Sequence, residues 1–432
     1  MISQPKTMKE LCEFIWYLEE KYDLLLFEID GVKIWQHSRV KLYFKLAKIS
    51  GVFSQPHDSL SRFQKIKNLL GYIKNSFINN YFTLKQNDIV VLSHPRVVNI
   101  DGEYIDIYTK YFIDELIQSG QKVVEFESAY LGKHYKKRTE CIHYTDWIEL
   151  LQRFEQLFIK VILTNEQKNT INKIEDEIKT VFGVDFLLSE FLINHLKSFK
   201  SIHRIYNRIF QVVNPKHIYM LVSYFKAPII KAAKDNNIQV IELQHGTFGK
   251  YHLGYSFPND VNSLNYFPDK FYVWNDFWKG MMKLPITEKN IIVDSFRYLS
   301  VQKEKYNHLK KKNHLVILSQ GSIGEQIAEK FLEHFEKFKD YKIMYKLHPG
   351  EFSRWKSYKS LQKLNEFKNV LIIKDEIPLY ELLAMSVLQI GVYSTALYEG
   401  VEFGCKTILL DVNGIENMDR FIQVYDDIQI LE

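Results

Sequence analysis

The period of the hydrophobic positions changes repeatedly along the chain, and each change marks an element. Residues 8–22 have helical spacing, and Tyr22–Phe27 is a short apolar run that reads as a strand ending at Glu28-Ile29-Asp30-Gly31. Over Arg62–Phe82, residues Phe63, Ile66, Leu69, Leu70, Ile73 and Phe77 recur at helical spacing beside Arg62, Lys65, Lys67 and Lys74. That stripe predicts an amphipathic helix packed on the core, with an anionic membrane face as the alternative surface. Asp88–Ser93 is a continuous apolar run stopped by His94-Pro95, the pattern of a strand buried on both faces, and Lys122–Phe126 predicts another. Between about residues 143 and 210 the period becomes helical and long, which predicts a helical face or insertion. Strands resume at His217–Ser223, Ile238–Leu243 and Lys270–Trp274, separated by segments able to hold a helix or a turn. Such alternation builds parallel βαβ units. Strand signals thin and charge rises around residues 280–313, notably over Lys303–Lys312, and a fresh α/β series starts at His314–Ser319. The expected architecture is α/β: two Rossmann-like domains facing a cleft, residues 1–285 with the helical insertion at about 143–210, and residues 286–432.

Bulk composition narrows the function classes. At 432 residues the chain exceeds one ordinary core, and 46% hydrophobic against 25% charged residues supplies a packed interior. A net charge of +5 spread over 57 basic and 52 acidic residues lacks the concentrated field of a nucleic-acid binder. The three cysteines, Cys12, Cys141 and Cys405, stand far apart without CxxC spacing, which argues against a zinc module or a disulfide framework and fits a reducing cytosol. The polar start, Met1–Glu10, predicts no signal peptide, and no run approaches the roughly 20 apolar residues of a membrane span.

Candidate chemistry gathers at the ends of the expected strands, where open parallel sheets bind ligands. The strand Lys342–Leu347 ends in His348-Pro349-Gly350-Glu351, and the proline keeps His348 out of a helix. Ser319-Gln320-Gly321-Ser322 turns into a helix starting near Glu325, so that backbone N–H groups can meet an anion at a helix N-terminus. Tyr393-Ser394-Thr395 opens a helix carrying Glu399; its hydroxyls suit both capping and a phosphate, and Glu399, one turn in, suits a ribose hydroxyl. Asp375-Glu376-Ile377-Pro378 leads into another helix. In the first half, Gln244-His245-Gly246 follows a strong strand, and the aromatic continuation past Lys250 and Tyr251 is expected to form a loop over a polyhydroxylated acceptor. Each motif also has a packing reading, since glycine, serine and His-Pro punctuate many βα turns for geometric reasons alone. The candidate general bases are Glu28, Asp30, the Asp101-Gly102-Glu103 segment and His245, among which spacing does not choose. The sequence has no HExxH or Cys/His cluster, no phosphate loop of the Walker type and no GxGxxG, so no metal is expected.

With these residues in view, the C-terminal half resembles that of GT-B glycosyltransferases, in particular the bacterial capsule and surface polysaccharide group with its sialyl- and polysialyltransferases and CDP-glycerol glycerophosphotransferases. The resemblance covers roughly residues 215–411 and rests on Gln244-His245-Gly246, His348-Pro349, Asp375–Ala384 and Ser394-Thr395. It implies metal-independent transfer of a sugar from a nucleotide-activated donor, a CMP-sugar, to a glycan or glycolipid acceptor such as capsule or lipooligosaccharide. The implied location is cytoplasmic, with peripheral contact to the inner membrane, and no cofactor besides the nucleotide-sugar substrate. The resemblance places His348-Pro349 and Ser394-Thr395 at the donor phosphate; the turn Ser319, Gln320, Gly321 and Ser322 and the residue Gly350 are expected beside them, with Glu376 and Ile377 at the base and Glu399 at the ribose. The Gln244-His245-Gly246 segment resembles the His-Gly motif at the donor side of the N-terminal domain in these relatives; Gln244, Gly246, Lys250 and Tyr251 are expected at the acceptor, and His245, Asp30 and Glu28 in catalysis. The chain departs from the sialyltransferases in its acidic pair before glycine, matched only by Glu28-Ile29-Asp30-Gly31 or Asp101-Gly102-Glu103. It departs from the glycerophosphotransferases in Gly391-Val392-Tyr393-Ser394-Thr395, where they show Asp-Tyr-Ser-Ser. A polyol-phosphate transferase, a sugar-nucleotide 2-epimerase and a noncatalytic glycan-assembly scaffold are the rival expectations.

Overall fold

The structure is a computed structural model that describes residues 4–52, 62–95, 97–100, 102–130, 132–136, 139, 141–258 and 261–432, with the side chains of residues 62–67 outside that description. Asp101 therefore lies outside the described residues, as do the side chains of Arg62, Phe63, Lys65, Ile66 and Lys67 on the expected amphipathic helix.

Two parallel sheets organise the chain. The strands in chain order are β1 (Ile89–Leu92), β2 (Val98–Ile100), β3 (Glu103–Ile105), β4 (Val123–Glu127), β5 (Ile142–Tyr144), β6 (His217–Met220), β7 (Gln239–Leu243), β8 (Lys270–Val273) and β9 (Ile291–Val293) in the first half. The second half has β10 (Lys312–Leu318), β11 (Lys342–Lys346), β12 (Val370–Ile373), β13 (Ser386–Gly391), β14 (Lys406–Leu410) and β15 (Gln429–Leu431). β2 and β3 form a small antiparallel ribbon; the first sheet runs β5-β4-β1-β6-β7-β8-β9 and the second β12-β11-β10-β13-β14-β15. In both sheets the third, second and first strands lie on one side and the fourth onward on the other, the doubly wound order whose direction reverses between first and fourth strand. The architecture is thus α/β with two Rossmann-like halves, as expected. Apolar β-branched runs such as Ile89-Val90-Val91-Leu92 are buried along their whole length because helices cover both faces.

Three details differ from the expectation. Tyr22–Phe27 is a turn, and Ile29 and Val32 pair across it as an isolated bridge. Asp30 and Gly31 both take positive φ, 50° and 77°, the pattern of a type I′ turn, so this segment closes on itself instead of joining a sheet. β9 pairs with β8, so the first sheet continues past residue 285. The long helical stretch appears as helices Asp146–Gln156, Asn165–Phe182 and Leu188–Val213. It does not stand alone, because Ile171, Ile174 and Ile178 share a core with Leu11, Ile15 and Leu18 of the helix Met8–Lys21 and with Trp35 and Leu42 of the helix Ile34–Ser50. The N-terminal residues and the insertion therefore form one helical layer on the first half. Among the described residues no helix is long and apolar enough to cross a membrane.

Candidate functional site

The reversal point of the second sheet lies between β10 and β13, and the loops leaving both strands meet there. Tyr393 donates its amide to the Gln320 side-chain oxygen at 3.1 Å, and the Ser322 hydroxyl lies 3.1 Å from the Tyr393 hydroxyl. Ser394 caps the helix Thr395–Glu402, accepting from the Ala396 amide at 3.3 Å. These contacts bring the Ser319–Ser322 turn beside Tyr393, the residue before the Ser394-Thr395 pair.

The loop after β11 completes the arrangement. His348 Nδ1 accepts the Gly350 amide at 3.1 Å, which places the ring proton on Nε2 and makes that nitrogen a donor. The short turn Pro349–Glu351 provides this geometry. Gly321 must be glycine here, because a Cβ would stand 2.9 Å from His348 Nδ1. Two residues whose roles were not foreseen fix the loops to one another. Glu351 is fully buried, accepts the Ser319 hydroxyl at 3.0 Å through Oε1 and the His348 amide at 2.9 Å through Oε2, and occupies space that any side chain at Gly324 would invade. Arg354 donates to the Gly321 carbonyl, and its buried Nε has no partner among the described residues. A guanidinium thus stands at the back of the expected phosphate turn.

Burial pushes the Glu351 carboxyl up to about 7, against the pull of the His348 amide, the Ser319 hydroxyl and Arg354. Burial also raises Glu399 to about 7, with the Tyr380 hydroxyl bonded to it. Both carboxyls hold a proton in the folded state over a pH range where the unfolded chain has lost it. Raising pH from about 5 to 7 should therefore lower stability, by on the order of 1 kcal/mol per pH unit for each group. Glu351→Gln is expected to remove one such contribution from the slope of urea-unfolding free energy against pH, and equal slopes in the two proteins would refute the assignment.

The expected base-reading loop is shaped by Lys346, whose Nζ donates to the Ile377 carbonyl at 2.9 Å and to the Lys374 carbonyl. Glu376 is exposed and accepts the Lys374 amide at 2.7 Å.

At the carboxyl edge of the first sheet the Gln244 side-chain amide is consumed by the backbone, accepting from the Trp274 amide just past β8 at 2.9 Å and donating to the Gly246 carbonyl of its own turn at 3.0 Å. The turn reaches across to the second half, since the Thr247 amide donates to Thr395 Oγ1 at 3.3 Å. Burial, with His252, His94 and Lys226 nearby, holds His245 down to about 3, so its imidazole is neutral and weakly basic. That state suits a hydrogen-bond partner better than a proton acceptor. Behind it lies buried Glu242, which accepts the Tyr255 hydroxyl at 2.6 Å and the Ser223 amide at 3.1 Å. An acid inside the apolar run Val240–Leu243 was the available signal for it.

Other expected site residues fall elsewhere. Asp30 pairs with Lys200 at 2.8 Å and Glu28 with Lys33 at 3.0 Å, contacts that belong to the helical layer and its connections. Lys250 is exposed, its ammonium 5.5 Å from the Tyr251 ring centre. Tyr251 is buried against Trp16 and lines a cavity of about 220 Å³ together with Val40, Tyr43, Phe248, Tyr393 and Tyr398. The aromatic loop is therefore part of an apolar interior between the halves and not an open lid.

No family model matches the chain. Its sequence is 24% identical over 387 residues to an uncharacterized protein of Methanocaldococcus jannaschii, over 80% of this chain and 61% of that protein. The chain thus spans about three fifths of the length of this curated relative. Among solved structures it is similar to UDP-GlcNAc 2-epimerase from Methanocaldococcus jannaschii, at 12% identity and a TM-score of 0.45 over 79% of this chain and 87% of that one. A UDP-GlcNAc 2-epimerase from Neisseria meningitidis bound to UDP-GlcNAc gives 15% identity and a TM-score of 0.43 over 76% and 83%. Acinetobacter baumannii MurG gives 10% identity and a TM-score of 0.45 over 80% and 86%.

Proposed function

We propose that this chain is a glycosyltransferase of the two-domain GT-B type that moves a sugar from a nucleotide-activated donor, a CMP-sugar, to a surface glycan such as capsule or lipooligosaccharide. It would act without a metal and sit peripherally on the cytoplasmic face of the membrane. The observation that carries the reading is the convergence of Ser319–Ser322, His348 and Ser394-Thr395 at the reversal point of the second sheet, with Thr395 touching the turn of His245.

The leaving nucleotide phosphate would take hydrogen bonds from His348 Nε2, from the Ser322, Ser394 and Thr395 hydroxyls and from amides at the starts of the helices Gly324–Glu333 and Thr395–Glu402. Arg354 behind the Gly321 carbonyl adds positive potential. Fixed dipoles and a cation aimed at developing negative charge supply the stabilisation such a step requires. Glu376 and Ile377 would border the base and Glu399 the ribose, while neutral His245 would hold the acceptor hydroxyl at the reacting bond.

Incubation with a panel of CMP-, CDP-, UDP- and GDP-sugars, with and without glycan acceptors, followed by mass spectrometry, tests the reading. The expected result is acceptor-dependent transfer from a CMP-sugar. Transfer from UDP-sugars alone would overturn the donor preference, and isomerised donor without acceptor would replace the transferase with an epimerase.

A further inference from the structure

We propose that the outer flank of the first half docks on an anionic lipid bilayer through two neighbouring segments, the helix Arg62–Ile78 with the turn after it, and the end of the helix Asp146–Gln156 with the loop that follows it. This gives a surface to the peripheral placement proposed above and rests on that placement, but not on the transfer chemistry.

The two helices run antiparallel side by side. Asn75 donates to Asp146 at 3.4 Å, and Tyr72 lies within electrostatic reach of Glu149 and Arg153 one and two turns further along. Asn79 is buried and Tyr72 and Asn75 are half-buried, so the polar side of the first helix faces the protein. Its outward side carries Leu70, Ile73 and Phe77, the reverse of what a solvated surface helix presents. Phe77 is 82% and Phe82 93% exposed, and on the second segment Leu157 is 79% and Ile162 83% exposed. Because the helices are antiparallel, the apolar end of the second segment lies beside the start of the first, from which Leu70, Ile73 and Phe77 recur at helical spacing towards that helix's other end. Large apolar side chains exposed along two packed helices mark an interaction site.

Charge identifies the occupant. Within residues 69–85 and 153–163 the exposed charged side chains are Lys74, Lys85, Arg153 and Lys160, all basic. The one acid, Glu155, is bracketed by Arg204 at 3.4 Å and Arg208 at 3.7 Å. Exposed aromatic and aliphatic tips ringed by cations fit the boundary between anionic headgroups and acyl chains. A second protein would be expected to meet the ring with acids, and this chain offers no acidic counterpart inside the patch for a second copy.

Sedimentation of the full-length protein with vesicles of phosphatidylcholine, with and without phosphatidylglycerol, tests this without any nucleotide or acceptor. The wild type should bind the phosphatidylglycerol vesicles and release with added salt. F77E/L157E/I162E should bind more than about tenfold less tightly, and K74Q and K160Q about fivefold less each on the anionic vesicles only. Wild-type protein that ignores both vesicles would overturn the proposal, as would a triple variant that binds like wild type. A wild-type dimer that the triple variant dissolves, with vesicle binding unchanged, would show instead that the patch joins two copies. Because the assay is free of substrate, its failure leaves the transferase reading standing, and an inactive protein that still binds vesicles leaves the docking surface standing.

Discussion

Replacing His348 by alanine is expected to weaken binding of the donor nucleotide roughly 10- to 100-fold, the worth of one charge-assisted hydrogen bond, and to cut turnover by about two to three orders of magnitude. The reason lies in how the ring is held. Gly350 fixes Nδ1, Gly321 leaves room for the ring, and Glu351 fixes the backbone of His348 itself. The donor on Nε2 is therefore pre-positioned, and little ordering cost remains when an anion arrives. His348→Asn retains a short side chain with both an acceptor and a donor and should recover part of the affinity. Calorimetry with CMP and CDP reads the first effect and single-turnover kinetics the second. Unchanged nucleotide affinity in the alanine variant would remove the phosphate assignment even with the fold intact.

The largest expected effect on stability belongs to Arg39→Ala, at about 3–5 kcal/mol. Arg39 and Glu19 are fully buried and joined through Nε at 2.6 Å and Nη2 at 2.9 Å. The guanidinium also donates to the carbonyls of Leu253 and Ser256 and lies 4.4 Å from the Phe257 ring centre, while the Trp35 indole donates to Glu19 at 2.7 Å. Truncation leaves a buried carboxylate and two buried carbonyls short of donors. Glu19→Leu combined with Arg39→Met removes charge and partner together and should recover part of the loss, because the pair's attraction mainly offsets its own desolvation while the two carbonyls and the Trp35 indole still lack partners. Urea unfolding of the two variants and the wild type measures this, and a loss below about 1 kcal/mol for Arg39→Ala would contradict the buried-pair account. Since Leu253 and Ser256 follow the His245 turn, the pair also braces the wall of the cleft.

Local chemistry made much of this legible in advance. The apolar β-branched runs at β1, β7 and β10 could only be buried parallel strands, and His348 and Ser394 stood out because a proline and a helix start fixed their surroundings. The helix Ile34–Ser50 was not readable, since Ile34, Trp35, Val40, Leu42, Tyr43 and Leu46 are buried on several of its faces and leave no single stripe. Tyr22–Phe27 misled because an apolar run records burial and not extension; Asp23, at φ 50°, bends it into the helical core. Glu351, Arg354 and Lys346 gained their roles from partners 28 to 33 residues away, a relation no local pattern encodes. Asp30, which ordinary motif logic favoured, is tied to Lys200 by the tertiary fold.

Thr395 links the two halves through a single oxygen. Its hydroxyl accepts the Thr247 amide from one half while keeping its own proton to donate, so a bound phosphate would extend the bond into a chain of amide, hydroxyl and anion. Bonds in such a chain polarise one another. The Thr247 amide would then strengthen the hold on a bound phosphate without touching it, so a backbone group of the first half would count among the binding groups of the second.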